Sequence, residues 1–240
     1  MEPLVVYPVK TSIFRDGNLA DFIIREVPKN LIQERMVLAV TSKIMSLAEG
    51  RLFPHGEIEK VDLVKKEADT FLGEIGYGCF LTIKEGLLIP SAGIDESNSE
   101  TGHYILYPQD PFASTEKLWK SLREAWGLKN LGIVLTDSHT TPLRRGVSGI
   151  SLAHWGFKAL RRMVGSKDLF GRELLMTNMN LADGLATSAV MMMGEGAECC
   201  PLAIIKGFDL EFCETTDKDE LRIPLAEDLY SPLLTKSLIK

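Results

Sequence analysis

The sequence predicts a mixed α and β chain, and two observations carry that reading. Apolar residues alternate between stretches with a period of 2 and stretches with a period near 3.6. Helix start and stop residues also fall where the 3.6 period begins and ends. In order, Leu4 to Val9 is a β-rich run, and Asn18 caps a helix running from Leu19 to Ile24. Val37 to Thr41 is a second strand, followed by helices over Lys43 to Leu52 and Ile58 to Ala68. Phe80 to Pro90 reads as a β-hairpin turning at Lys84 to Gly86. Thr115 to Trp126 is an amphipathic helix closed by Gly127 in the C′ position. Leu131 to Thr136 is a buried strand that stops at Asp137. Leu181 to Met193 is helical, ends at Gly194-Glu195-Gly196, and leads into a strand over Pro201 to Ile205. No repeat, low-complexity tract or Gly/Ser linker divides residues 1–240, which read as one domain with a subdomain boundary in the Arg-rich stretch Arg144 to Arg172.

Composition narrows the class. The chain has 240 residues, 45% apolar and 25% charged, an ordinary soluble globular balance. A chain of this length buries roughly 70% of its unfolded surface, enough to fold without disulfides or a structural metal. Lys+Arg 27 against Asp+Glu 33 leaves a net charge of -6, which gives no general attraction to nucleic acid or anionic membranes. The first ten residues lack the basic region and apolar core of a signal peptide. The charge-free stretch Gly184 to Gly194 is too short to span a bilayer. Cys79, Cys199, Cys200 and Cys213 form no C-x-x-C pair, so the expectation is a reduced, cytoplasmic protein with no nucleic-acid or membrane partner.

Familiar catalytic signatures are absent. There is no phosphate-binding G-x-x-x-x-G-K-[ST], no G-x-G-x-x-G and no H-E-x-x-H. Gly146-Val147-Ser148-Gly149-Ile150 lacks the last glycine of a nucleophile elbow, and His55, His103, His139 and His154 are scattered. Three segments carry the chemistry instead: Gly93 to Asn98, Leu135 to Arg144, and Met193 to Glu198. The first two put an acid and a hydroxyl just beyond an apolar run, where open sheets place their sites. The third sets a carboxylate between glycines, where backbone approaches a ligand closely. Carboxylate and hydroxyl oxygens suit Mg²⁺ or Mn²⁺ with substrate phosphates. The same residues also build ordinary turns, and spacing does not decide between the two readings.

The segments resemble the coenzyme F420-0:γ-glutamyl ligase family. The resemblance rests on Thr41-Ser42-Lys43, Ala48-Glu49-Gly50-Arg51, Ala92 to Asn98, Tyr107-Pro108-Gln109-Asp110-Pro111, Thr136-Asp137-Ser138, Pro142-Leu143-Arg144, Asp168 to Arg172 and Val190 to Pro201, in the family's order over roughly residues 5–207. It implies an α+β fold, with mixed sheets and packed helices, and a homodimer joined through β surface. It implies a ligase that adds L-glutamate to a carboxylate through an acyl phosphate, using GTP or ATP and two Mg²⁺ or Mn²⁺ ions. Lys66 to Asp69, Leu81 to Lys84 with Ile89 to Gly93, and Thr140 to Arg144 are similar to a branch associated with folate metabolism. That branch implies a pterin-type acceptor, dihydropteroate or tetrahydrofolate. The deazaflavin acceptor is the alternative, and a non-catalytic nucleotide-binding relative a third reading. Leu47 stands where the deazaflavin ligases often have a nucleotide-contacting lysine.

Residue roles follow from the resemblance. Asp95 and Asp137 would hold one metal, and Ser138 with Glu195 the second. Ser42, Lys43, Asn98 and the turn Met193-Gly194-Glu195-Gly196 would contact the nucleotide. Asp137 and Arg144 are expected at the chemistry. A guanidinium at Arg144 suits a carboxylate or phosphate, with a surface role as the other reading. Met191 to Met193 are expected in the helix core.

Overall fold

The computed structural model describes residues 3–99 and 102–238. Its strands are β1 (Val5–Val9), β2 (Met36–Thr41), β3 (Leu52–Pro54), β4 (Thr70–Glu74), β5 (Phe80–Lys84), β6 (Leu87–Pro90), β7 (His103–Ile105), β8 (Leu131–Thr140), β9 (Val147–Trp155), β10 (Leu160–Arg162), β11 (Asn178–Asn180) and β12 (Leu202–Lys206). The helices are α1 (Leu19–Glu26), α2 (Ser42–Ala48), α3 (Lys60–Glu67), α4 (Pro111–Trp126), α5 (Leu181–Met193) and α6 (Ser231–Leu238). Among the described residues, no helix is long and apolar enough to cross a membrane.

The main sheet has the order β1-β12-β2-β8-β9. Its β2–β8 pair is parallel and the other pairs are antiparallel, so the sheet is mixed and the fold is α+β. Both faces are buried, so β2 is apolar from Met36 to Val40 while its side chains still alternate. Met36, Leu38 and Val40 join Ile133, Leu135 and Ile204 under α1 and α4, against Phe22, Ile23, Trp119 and Leu122. Val37, Ala39, Val134 and Ala203 face the other way, under Ala182, Leu185, Ala186 and Ala189 of α5. Small residues on both sides let α5 sit close to the sheet. At Gly149 of β9 a Cβ would lie 2.4 Å from the Ala186 carbonyl oxygen, and the Thr187 hydroxyl donates to the Gly149 carbonyl at 2.7 Å.

Local chemistry explains most of the boundaries. The Asn18 side chain accepts from the N–H groups of Ala20 and Asp21 at 2.9 and 3.2 Å, which caps α1. Helix α4 starts at Pro111 rather than Thr115, because Asp110 caps the Ala113 N–H at 2.9 Å and Pro111 needs no partner at the first position. It ends at Gly127 in the left-handed conformation (φ 65°), as its sequence predicts. Helix α2 stops at Ala48, not Leu52: Gly50 turns the chain at φ 66°, and Leu52 pairs with Ile105 in the two-stranded β3–β7 sheet. The hairpin of β5 and β6 turns at Glu85 and Gly86, both at positive φ, within the antiparallel sheet β4-β5-β6. Strand β8 does not stop at Asp137. It continues to Thr140 because β9 pairs with it across Asp137↔Ile150 and Thr140↔Val147, forming a polar arm beyond the core.

The stretch from Arg144 to Arg172 supplies β9, the outer strand of the main sheet, and β10, which pairs with β11. Beyond β12 the chain straps the far end of the sheet. Lys158 and Cys213 donate their N–H groups to the carbonyls of Glu211 and Gly156 at 2.9 and 3.0 Å. Glu220 accepts from the Ala159 N–H at 2.8 Å and lies 3.6 Å from buried His154. Burial works against the Glu220 charge, but the neighbouring His154 ring and the Ala159 hydrogen bond hold its pKa below the usual carboxylate value. Arg222 reaches across to Glu85 in the β5–β6 turn at 2.8 Å.

The α5–β9 contact leads to a test. Gly149→Ala forces α5 off the sheet and is expected to cost about 1–3 kcal/mol in denaturant unfolding. Gly184→Ala, on the open side of the same helix, is expected to stabilise by about 0.5–1 kcal/mol.

Candidate active site

The parallel pair sets the site. Thr41 of β2 is in register with Thr136 of β8, so Ser42 and Asp137 lie side by side just past the last β2–β8 pair, where β2 ends and β8 runs on with β9 alone. The register shift between Leu135 and Thr136, where β9 carries an extra residue, re-aims the strand just before Asp137. Asp137 accepts from the Ser138 N–H at 2.8 Å. Burial pushes its carboxyl up to about 6 and the charge of Asp95 adds to the rise, against the Ser138 and Ser42 hydrogen bonds and the Lys43 charge.

Asp95 arrives on a separate loop. Its N–H and carbonyl pair with the backbone of Ile105 at 2.9 and 2.8 Å. The turn before it holds Ser91, Ala92 and Gly93 at φ 50°, 54° and 71°, a conformation costly for the two that carry a Cβ. The buried Thr82 hydroxyl fastens that turn, accepting from the Ala92 N–H at 2.8 Å and donating to the Ile89 carbonyl at 2.6 Å. Lys43, one residue after Ser42, donates to Asp95 at 2.8 Å and to the carbonyl and hydroxyl of Ser97 at 2.8 and 3.0 Å. Burial would raise the Asp95 pKa, but the Lys43 ammonium and the Ser97 hydrogen bonds bring it below the usual carboxylate value.

The third segment closes the group. Asn98, at φ 53°, donates its amide to the Gly196 carbonyl at 3.3 Å. The structure therefore joins the Asp95 loop, the Ser42–Asp137 strand ends and the turn after α5. Within that turn the ordered carboxylate is Glu198, which accepts from the Gly196 N–H at 2.7 Å and lies where a Gly194 Cβ would fall, at 2.5 Å. Glu195 is exposed on the outside of the turn.

Other expected residues fall elsewhere. Arg144 lies on the exposed tip of the β8–β9 arm, apart from the hydrogen-bonded group. The Met193 side chain is buried in the α5 core, so only its backbone belongs to the turn. Met191 and Met192 are 75% and 46% exposed and do not pack in the core expected for them: they occupy the outer face of α5. Glu49 and Arg51, part of the matched sequence, are structural here. Glu49 accepts from the Gln109 N–H at 2.8 Å and from the Ser114 hydroxyl, while Arg51 pairs with Glu67 and with the Tyr107 carbonyl at 3.0 Å.

Among the described residues, no three His, Cys, Asp or Glu side chains come together as a metal centre. Asp95 and Asp137 with the Ser42 hydroxyl nonetheless fit one hard cation by donor type: all offer oxygen, and the Asp137 charge is left poorly compensated. Of the second expected set, Ser138 follows Asp137 on β8 and Glu195 is exposed in the turn after α5.

The family described as F420-0:Gamma-glutamyl ligase matches residues 8–207, a span that holds the whole cluster. The coenzyme F420:L-glutamate ligase of Methanocaldococcus jannaschii is 32% identical, covering 94% of this chain and 96% of its own. Those of Archaeoglobus fulgidus and Methanopyrus kandleri are 34% and 31% identical, each over 85% of this chain and 88% and 86% of their own. The protein is therefore an enzyme of the ligase class. It belongs to the F420-0:gamma-glutamyl ligase family.

The Asp137 carboxyl yields a pH test on the metal-free protein. Its folded pKa, about 6, lies above the unfolded value, so the contribution of this group to stability is greatest below about pH 4 and is lost as pH rises through 6. With chelator present, Asp137→Asn is expected to remove this loss, gaining up to about 3 kcal/mol over the unaltered protein at pH 7 and nothing at pH 4.

Proposed function

We propose that this chain joins L-glutamate, through its amine, to the carboxylate of a coenzyme F420-0-type acceptor in a GTP-dependent reaction. The observation that supports this reading is the convergence of Asp95, Asp137 and the 194–198 turn, which lie far apart in sequence, inside a chain of this family. In this reading the acceptor carboxylate takes the γ-phosphoryl group as an acyl phosphate, and the glutamate amine then displaces phosphate from the acyl carbon. A Mg²⁺ or Mn²⁺ ion held by Asp95 and Asp137 supplies charge neutralisation at the transferred phosphoryl group. Ser138 and Glu195 are the proposed holders of a second. Asp137 would be ionised for this task, a form that the charge of the bound cation favours. Lys43, released from Asp95, turns to the nucleotide phosphates, and Asn98 with the Gly194–Gly196 backbone forms the nucleotide wall.

The deazaflavin-type acceptor is favoured over the folate-type acceptor that the sequence suggested. The relatives compared above carry coenzyme F420 in their names. Leu47, whose replacement of a lysine set this chain apart, packs against the main core and not on the carboxylate group.

The proposed assembly is a homodimer. Leu169, Phe170, Leu175 and Met176 are 98%, 82%, 75% and 72% exposed in one stretch, the kind of apolar surface a partner covers. Light scattering is expected to give twice the chain mass, and a Leu169→Ser, Phe170→Ser double variant to give the monomer. A monomer from the unaltered chain would end this part of the reading.

The activity test is ligation of L-glutamate with GTP or ATP and Mn²⁺ against F420-0, dihydropteroate and tetrahydrofolate. Glutamylation of F420-0 is expected. Asp95→Asn and Asp137→Asn are each expected to lower kcat at least ~100-fold, as losing a charge-stabilising group does. Product on the pterins alone would reverse the choice of acceptor, and full activity in both variants would remove the metal roles.

A further inference from the structure

Both carboxylate oxygens of Asp95 are engaged by the chain itself. Oδ1 accepts from the Ser97 N–H at 2.6 Å, and Oδ2 faces the Lys43 ammonium at 2.8 Å. The same ammonium donates to the Ser97 carbonyl at 2.8 Å and to the Ser97 hydroxyl at 3.0 Å. An ammonium has three donors, and Lys43 spends all three on this one loop. The pair is sheltered, with the Lys43 side chain 21% exposed.

A divalent cation on Oδ2 would lie within a few ångströms of that ammonium and be repelled by it. It therefore takes Asp95 only when the ammonium leaves, and a displaced ammonium needs another anion. Lys43 is placed to move without disturbing the backbone. It follows Ser42 at the start of α2, beside the Asp137 end of β8, and carries its charge on a flexible four-carbon stem. Lys60 offers a comparison on the same loop. It donates to Glu96, the next carboxylate along, and lies 5.9 Å from the Tyr104 ring centroid.

We propose that Lys43 is a positioning residue that competes with the divalent cation for Asp95, so that the cation enters together with a polyphosphate that receives the displaced ammonium. Cation and nucleotide are then coupled, each lowering the cost of binding the other. The identity of these two ligands rests on the proposed function; the competition itself rests on the contacts of Lys43.

The test uses the full chain and Mn²⁺ alone as the first probe, its Kd read from the loss of free Mn²⁺ by electron paramagnetic resonance. Lys43→Met keeps the stem and removes the charge. It is expected to bind Mn²⁺ ~10-fold more tightly than the unaltered protein, because one ion pair no longer has to be broken. Lys60→Met removes the same charge from the neighbouring carboxylate and is expected to change the Kd less than ~3-fold. In an Asp95→Asn background, Lys43→Met is expected to give no gain. The Kd for GTP at saturating Mn²⁺ is expected to move the other way in Lys43→Met, weakening ~10- to 100-fold as a hydrogen bond to phosphate is lost. A lysine that only braces the loop would weaken both ligands, and that result overturns the proposal, as does an unchanged Kd for either. Equal gains in Lys43→Met and Lys60→Met also overturn it, because general charge would then suffice. Absence of Mn²⁺ binding in every variant overturns both the competition and the metal role of Asp95. If the opposed shifts occur while the unaltered chain fails to glutamylate F420-0, the acceptor reading falls and the competition stands.

Discussion

The pairing of β2 with β8, parallel strands inside an otherwise antiparallel sheet, governs what the rest of the chain must do. Parallel strands are stable when both faces are covered, and here α1 and α4 cover one face and α5 the other. The small side chains that admit α5, and Gly149 beneath it, follow from that demand. The pairing also sets the carboxyl end of β2 beside the point where β8 runs on past it with β9. Ser42 and Asp137 owe their proximity to the register, and a slip of one residue would turn each to the opposite face.

Charge around the cluster is distributed unevenly. Asp95 is paired with an ammonium and kept ionised, while Asp137, a short distance away, is reluctant to ionise. Burial accounts for most of the difference, and the Lys43 ammonium, which pairs directly with Asp95, widens it. The cost of the second charge is left for a ligand to offset.

Features that depend on a few adjacent residues could be read directly from the sequence. The Asn18 cap, the Gly127 terminus, the hairpin turn and the full span of α5 are of this kind. So was the location of the polar group, because Asp95 and Asp137 each follow an apolar run. Features set by distant partners were not legible. The arm from Asp137 to Thr140 is polar and carries no apolar period, so only its pairing with β9 reveals it as strand. β3 and β7 are three residues each and exist because they pair. Glu195 and Glu198 are equivalent as sequence, and backbone geometry alone folds Glu198 back over the glycines.

Strand order also bears on how the protein is made. β12, residues 202–206, lies between β1 and β2, residues 5–9 and 36–41. On the ribosome the first strand has no neighbour to join until the last strand has emerged. The early segments must wait through most of synthesis with apolar edges exposed, a topology that folds slowly and late. The topology thus calls for a closing event, in which one late strand joins β1 to the rest of the sheet.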